Sequence, residues 1–265
     1  MSVRAFELGM IGGPWGRRLG PRRAWLDELP WGERLPLDDA ARLVWTRTAF
    51  SEYASAAAFA EIAGALLAAG GPIDLVAAAG DFVVDEIVHT EAAARLAAAL
   101  GGAVTLDVDL TRLVRPSAAP DPLLRAAELV VRTSCVGEAL TVPMLKLSRK
   151  LAGSALVEAV LGRVIADESA HAQFGWWFLD WAAPELDDEA RAQLGRVAGA
   201  ALRAFAPLLG GGCASSGLGT LDCGSYDPAL ADAARWRVVR PLGERGVEVP
   251  EADRAAVGAV AAFEA

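Results

Sequence analysis

The sequence predicts an all-α protein built on four long helices, with one long connection between the second helix and the third. Capping residues and paired glycines divide the middle of the chain into four segments of about 30 residues each. The chain has only two histidines, and each follows a glutamate by three residues. That spacing places both side chains on one face of a helix. About 20 residues separate the second segment from the third, where a helical hairpin needs only a few.

The four predicted helices span residues 38–70, 72–101, 121–153 and 154–183. Asp38 and Ser154 can cap the starts of the first and the fourth, and Asp121 is followed by a proline at the first helical position. Glycine pairs at 70–71 and 101–102 stop the first two helices. At 1.5 Å per residue, each helix would be about 45 Å long.

The connection from Gly101 to Pro120 contains a short β-like run from Val104 to Val108. Twenty extended residues can reach about 65 Å, which is enough to recross the whole bundle. We therefore expect one long crossover between helices two and three. This connectivity differs from that of bundles whose helices simply run up and down in order.

Six candidate metal ligands lie near the midpoints of the four predicted helices: Glu52, Glu86, His89, Glu138, Glu168 and His171. Positions 52 and 86 average to 69 and positions 138 and 168 average to 153, so each pair lies level across its own hairpin turn. One glutamate from each of two helices and a Glu-x-x-His motif from each of the other two form a di-iron or di-manganese ligand set. The alternative is a set of ordinary acids in one bundle, although an unpaired buried glutamate is costly.

With these motifs, residues 38–183 resemble the ferritin-like di-iron carboxylate superfamily. The resemblance implies two bound iron ions, and the same ligands also suit manganese or a mixed Mn/Fe pair. It implies that Glu86 and Glu168 bridge the two metals. Glu52 and Glu138 are then the terminal carboxylates, and each histidine binds one metal.

An aspartate precedes the glutamate in both motifs, giving Asp85-Glu86 and Asp167-Glu168. A metal-bound histidine normally donates its other N–H to a carboxylate. The resemblance implies that Asp85 orients His171 and that Asp167 orients His89. The alternative is that both aspartates are solvated acids on the flanks of their helices.

The third predicted helix is irregular near its ligand. Pro143 follows Glu138 by five residues and should kink the helix, either to shape a pocket or only to let the helix follow the core. Thr141, three residues after Glu138, is the candidate catalytic residue. In the monooxygenases that the chain resembles, a threonine four residues after this glutamate lines the dioxygen pocket. Val142 stands at that place here, so Thr141 takes the role only if the kink shifts the phase of the helix. The alternative is a hydroxyl bonded to the helix backbone. Cys135 either borders the metals or serves as a small buried hydrophobe.

The resemblance implies an oxygenase or oxidase that activates dioxygen to oxidise a small organic substrate. Electrons would come from a separate donor protein, because the chain has no flavin or nicotinamide fingerprint. The alternative function is a ferroxidase that handles iron, since bacterioferritin-like proteins share this ligand set.

Composition narrows the possible partners. A net charge of −9 and a pI near 4.9 argue against binding to nucleic acid or to an anionic membrane. The N-terminus has no signal-peptide pattern and no apolar stretch is long enough to span a bilayer, so we expect a soluble cytoplasmic protein. The three cysteines are then expected to be free thiols, although Cys213 and Cys223 share a loop and are able to pair.

The segments that flank the bundle are less regular. Residues 1–37 are expected to form an arm that packs on the bundle or on a partner. Residues 184–265 are expected to form a helical extension of the same domain, with later helices beginning near Asp227 and Pro250. Such additions suit a lid over a substrate or a homodimer interface, and they would obstruct the shell of a storage protein.

Overall fold

The structure is a computed structural model that describes residues 3–206, 217–219 and 223–258. These residues are predominantly helical, which confirms the predicted all-α class. Besides turns and loops, the described ranges contain two short strands. β1 (Val3–Ala5) pairs antiparallel with β2 (Asp107–Asp109), so the N-terminus is bound to the connection that follows the second long helix.

Ten α-helices are described: α1 Gly13–Glu28, α2 Asp39–Ala68, α3 Ile73–Ala99, α4 Pro122–Val130, α5 Ala139–Lys150, α6 Ala155–Ala182, α7 Asp188–Phe205, α8 Cys223–Ala233, α9 Arg240–Gly243 and α10 Glu251–Ala255. Two further segments, Val131–Glu138 and Ala234–Val239, are π-helical. The predicted caps are present: the side chains of Asp38, Asp121 and Ser154 each accept a backbone N–H three residues ahead. Among the described helices, none combines the length and the apolar character that crossing a membrane requires.

The third predicted helix is divided into α4, a π-helical segment and α5. The helix departs from α-helical geometry over Val131–Glu138, so that Glu138 is the last residue of the irregular segment. The sequence predicted a kink at Pro143 instead, and Pro143 lies inside α5. Gly175 of α6 packs directly on the π-helical segment, because a Cβ at that position would lie 2.6 Å from Cys135 Sγ. This close approach of α6 is part of what fixes the position of Glu138.

The connection between α3 and α4 runs along α2 from one end to the other. At its start, the carbonyl of Gly102 accepts a hydrogen bond of 2.8 Å from Nε of Arg42, near the start of α2. At its end, residues 115–116 and 118–121 line a groove together with Ala69, just beyond the end of α2. The 30 residues of α2 correspond to about 45 Å of helix.

Two separate clusters of buried apolar residues form the core. The first includes Phe59, Phe82 and Phe174 and extends onto α4 and α7. The second includes Trp45 and Val88 and reaches α1 and the start of α6. Along α2, α3 and α6, the candidate ligands other than His89 lie between the residues of the first cluster and those of the second. His89 lies at the edge of the second cluster, beside Val88, so apolar residues lie on both sides of the site along these helices.

In the described parts of both flanks, helices begin earlier or extend further than the sequence indicated. Within the predicted arm, residues Gly13–Glu28 form α1, which packs on α3 and fully buries Leu26. In the extension, α8 begins at Cys223, so that Pro228 lies inside it, and the last described helix follows Pro250 as expected. Cys213 lies outside the described residues, so a disulfide between Cys213 and Cys223 stays a prediction.

Candidate metal centre

The structure brings all six candidate ligands together at the centre of the molecule. Their ligand atoms form two groups, in each of which the atoms lie within 4.8 Å of one another: Glu52, Glu86, His89 and Glu168 in one, and Glu86, Glu138, Glu168 and His171 in the other. Two glutamates, Glu86 and Glu168, belong to both groups. The molecule therefore holds a buried cluster of Glu and His residues that could bind a metal.

The two histidines face the shared glutamates from opposite sides. His89 Nδ1 lies 3.2 Å from Oε1 of Glu168 and 3.7 Å from Oε2 of Glu86. His171 Nδ1 lies 2.9 Å from the other oxygen of Glu168 and 3.1 Å from the other oxygen of Glu86. The imidazole centroids are 6.2 Å apart. Each shared carboxylate thus offers one oxygen to each half of the cluster.

Within the described residues, several of these buried atoms have ionic contacts but no partner with hydrogen-bond geometry. Both carboxylate oxygens of Glu86 and the Nδ1 atom of His89 are in this condition, although Glu86 and His89 are at most 1% exposed. Burying charged groups whose hydrogen bonds are incomplete is destabilising unless something else compensates it. Carboxylate oxygens and imidazole nitrogens are donors that iron and manganese accept, so a pair of divalent cations fits this site.

The electrostatics of the metal-free site point the same way. Burial, together with the nearby Glu86 and Glu168 carboxylates, holds the pKa of Glu52 and of Glu138 well above the usual range. For Glu168, burial acts to raise the pKa, but hydrogen bonds from the two histidines outweigh it and lower the pKa. Without metal, two of the carboxyls therefore retain protons, which limits the negative charge of the cluster.

The histidines carry the balancing positive charge. Burial acts to lower the pKa of His171, but its contacts with Asp85, Glu168 and Glu86 outweigh burial and raise the pKa to about 12. The pKa of His89 is raised as well. Burial acts to lower it, but contacts with Asp167, Glu168 and Glu86 outweigh burial, and Asp167 has the strongest raising effect. Protons thus occupy the positions that cations would take, and metal binding must displace them.

The aspartates of the two motifs lie behind the histidines of the opposite motifs. His89 Nε2 is 3.3 Å from Oδ2 of Asp167, and His171 Nε2 is 3.6 Å from Oδ2 of Asp85. Both aspartate side chains are only 15% exposed, which is unlike a solvated acid on a helix flank. With Nε2 of each ring directed at an aspartate, Nδ1 of each ring is left to face the shared glutamates.

Two arginines that were not predicted from the sequence form ion pairs with these aspartates. Arg22 of α1 forms ion pairs with Asp85 and with Asp81, while Arg163 of α6 lies 3.1 Å from Asp167. Trp25 of α1 covers the Arg163 guanidinium, with the carbon of that group 5.6 Å from the ring centroid. The spacing of four residues between Arg163 and Asp167 was visible in the sequence. Nothing local to Asp85 pointed to Arg22.

A cavity of about 270 Å³ adjoins the carboxylates of Glu52, Glu138 and Glu168. Thr141 lines it, and no hydrogen bond from its hydroxyl to the helix backbone exists within the described part of the chain. Thr133 lines it as well and was missed from the sequence. It precedes Glu138 by five residues, the repeat that a π-helix places on one face.

Cys135 belongs to the apolar core and does not line this cavity. It is completely buried in the first cluster against α6, and burial raises the pKa of its thiol. Of the two interpretations of this residue, the structure shows the small buried hydrophobe.

No protein-family model, curated protein or solved structure matches this chain.

Proposed function

We propose that this protein is a ferritin-like di-metal carboxylate enzyme that uses dioxygen to oxidise a small organic substrate. The observation that carries the proposal is the pair of ligand groups that share Glu86 and Glu168 inside an apolar core. Iron is the proposed metal, with manganese or a mixed pair as the variants that the donors also suit. The long helices α2, α3, α4–α5 and α6, with their crossover, are proposed to be the four-helix bundle of that superfamily.

Each half of the site would hold one cation. Glu52 and His89 would bind one, and Glu138 and His171 the other, with Glu86 and Glu168 shared between them. When bound, the metal pair would supply the electrons that reduce dioxygen. The two aspartates would keep a proton on Nε2 of each histidine, so that the Nδ1 lone pair is available to the cation.

The cavity beside Glu52 and Glu138 favours substrate oxidation over iron handling. It offers about 270 Å³ of space directly beside the carboxylates, which a small organic molecule and dioxygen require and a ferroxidase does not. Ala54, Ala58 and Phe205 make part of its wall apolar. The hydroxyls of Thr133, Thr141, Ser51 and Ser55 on the same wall are the uncharged groups that would move a proton there.

The rest of the system is proposed by the same reasoning. A separate reductase would deliver the electrons, since no nucleotide fingerprint is present in the sequence. The helices outside the bundle, α1 and α7 to α10, would cover the site and could support a homodimer.

Metal content tests the proposal. After reconstitution with Fe(II) under anaerobic conditions, elemental analysis should give about two irons per chain, and the spectra of the oxidised protein should show two coupled ferric ions. A folded protein that saturates at one ion, or binds none, would contradict it. A closed multi-subunit shell on size-exclusion chromatography would assign the centre to iron storage instead.

A further inference from the structure

A groove much larger than the metal-side cavity lies between the end of the crossover, α4 and α7. It has a volume of about 1260 Å³. Sites for small organic ligands typically measure about 300–1,000 Å³, so this groove has room for a molecule of that kind. Leu123 and Leu124 of α4 and Val197 and Ala201 of α7 supply apolar surface along it.

Three arginines line this groove, and within the described ranges none has an acidic partner: Arg196 donates to the side-chain oxygen of Gln193, whereas Arg115 and Arg132 lie against each other. Arg132 donates a hydrogen bond to the backbone carbonyl of Arg115, which brings the two residues together. Burial and the neighbouring charge of Arg115 both lower the pKa of Arg132, against a longer-range attraction from Glu128 and Glu61. Across residues 3–206, 217–219 and 223–258, neither guanidinium forms an ion pair.

Five acids also line the groove, and within the described residues none of them forms an ion pair with Arg115 or Arg132. Glu128 accepts a hydrogen bond of 2.9 Å from a glutamine side chain of α7. Asp121 and Asp187 each cap the helix that follows them by accepting a backbone N–H at 2.8 Å. Glu185 and Glu189 are exposed to solvent. The guanidinium groups of Arg115 and Arg132 therefore lie close together with no carboxylate of the groove bound to either of them.

The groove and the metal-side cavity have a common wall. Phe205, the last residue of α7, lines both. In the π-helical segment, Arg132 lines the groove while the next residue, Thr133, lines the cavity. A ligand that contacts Arg132 is thus one residue away from the wall of the cavity that contains Glu138.

We propose that this groove binds the substrate and that the substrate is an organic acid: an apolar body bearing a carboxylate that Arg115 and Arg132 bind. Guanidinium groups bind carboxylates with paired, charge-assisted hydrogen bonds. The apolar body lies against α4 and α7 and extends towards Phe205, which separates it from the metal-side cavity. The inference names the substrate class of the function proposed above and rests on that function.

Titration calorimetry of the full chain with octanoate, octyl phosphate and 1-octanol tests the charge requirement. Octanoate should bind at least about tenfold more tightly than 1-octanol, as a charge-assisted hydrogen bond predicts. Arg115→Gln and Arg132→Gln should each remove that advantage, while Arg112→Gln, an exposed arginine of the same connection that does not line the groove, should retain it. Equal affinity for octanoate and 1-octanol in the parent would overturn the proposal, and tighter binding of octyl phosphate would overturn the carboxylate assignment. Because Arg115 is exposed, its variant remains informative if Arg132→Gln folds poorly.

The cobalt(II)-substituted protein tests the connection to the metals. Octanoate should perturb the visible cobalt spectrum, and Phe205→Ala, which joins the groove to the cavity, should enlarge that perturbation. Octanoate that binds without altering the spectrum of either protein would show that the groove does not lead to the site. Calorimetry does not depend on metal, so the two proposals can fail separately. Charge-dependent binding in a protein without two metals would reject only the di-metal function.

Discussion

The two halves of the site have the same ligands but different supports. His171 is enclosed by Phe59 and Phe82, whose ring centroids lie 5.1 and 4.3 Å from its own, and its aspartate is held by Arg22 from the separate helix α1. The aspartate behind His89 is held by an arginine of its own helix, α6.

The two carboxylates that belong to only one group each differ in the same way. Glu52 lies in the middle of a regular helix, whereas Glu138 is the last residue of a π-helical segment against which α6 packs closely. One half of the site thus follows from regular helices with local spacing. The other half depends on contacts between distant segments, and the comparison predicts different responses to mutation.

The largest effect should come from a ligand that both halves share. Glu86→Ala should abolish binding of both ions, whereas Glu52→Ala should retain about one ion, because the second group of ligands stays complete. Elemental analysis after Fe(II) reconstitution would measure this. Glu91→Gln, on α3 but paired with arginines outside the cluster, is the matched control and should bind as the parent does. Two ions bound to Glu86→Ala would remove that residue from the ligand set.

Loss of either histidine should remove about one ion, but the two variants should differ in stability. His171→Ala should lower the free energy of unfolding by about 1 kcal/mol more than His89→Ala, because only the His171 ring packs on two phenylalanines. Chemical denaturation of both metal-free variants would measure the difference. Equal destabilisation would show that the aromatic enclosure adds nothing to that half.

Removing the charge behind a histidine should have a smaller, site-specific effect. Asp85→Asn and Asp167→Asn should each weaken the binding of one ion by about 10- to 100-fold, because the asparagine keeps the shape but orients the imidazole less well. Competition with a chelator would resolve the two affinities. Parent affinities in both variants would show that these aspartates do not support the metals.

Metal binding should strengthen as the pH rises. The raised pKa values of Glu52 and Glu138 mean that the metal-free protein keeps these carboxyls protonated at pH values where they would ordinarily be ionised. A cation must displace those protons, so we expect the affinity to change by at least about tenfold per pH unit. Affinities measured across the weakly acidic range would give the slope, and Glu52→Gln should reduce it. A flat profile would mean that no proton is released.

The smallest effects should come from the arginines. Arg22→Ala and Arg163→Ala should each weaken metal binding by about two- to fivefold, since both ion pairs are partly exposed. Of these two arginines only Arg22 joins α1 to α3, so only Arg22→Ala should also speed hydrogen exchange in α1. The control is Arg17→Ala, an exposed position on α1. Unchanged exchange in Arg22→Ala would show that the other ion pairs between α1 and α3, Arg23–Glu91 and Asp27–Arg95, hold α1 together with its apolar contacts.

The sequence by itself determined the helices and the approximate location of the site. Caps such as Asp38 and Ser154 act within one turn, and the spacing of Glu86 and His89 fixes a shared helix face wherever the helix lies. These are local rules, so they hold before the chain is packed. From these rules the all-α class was predicted, and every residue of the two ligand groups was identified as a candidate ligand.

The tertiary structure alone decided what surrounds those ligands. Helix α1 contains Gly16, Gly20 and Pro21, which disfavour a helix; it is held by distant contacts such as the pairing of Arg22 with Asp85. The π-helical segment forms where Gly175 lets α6 approach, and no local spacing encodes that contact. The groove that contains Arg115 and Arg132 likewise exists only once the crossover lies beside α7. Each of these features joins residues far apart in the chain, and such contacts have no period for a sequence pattern to display.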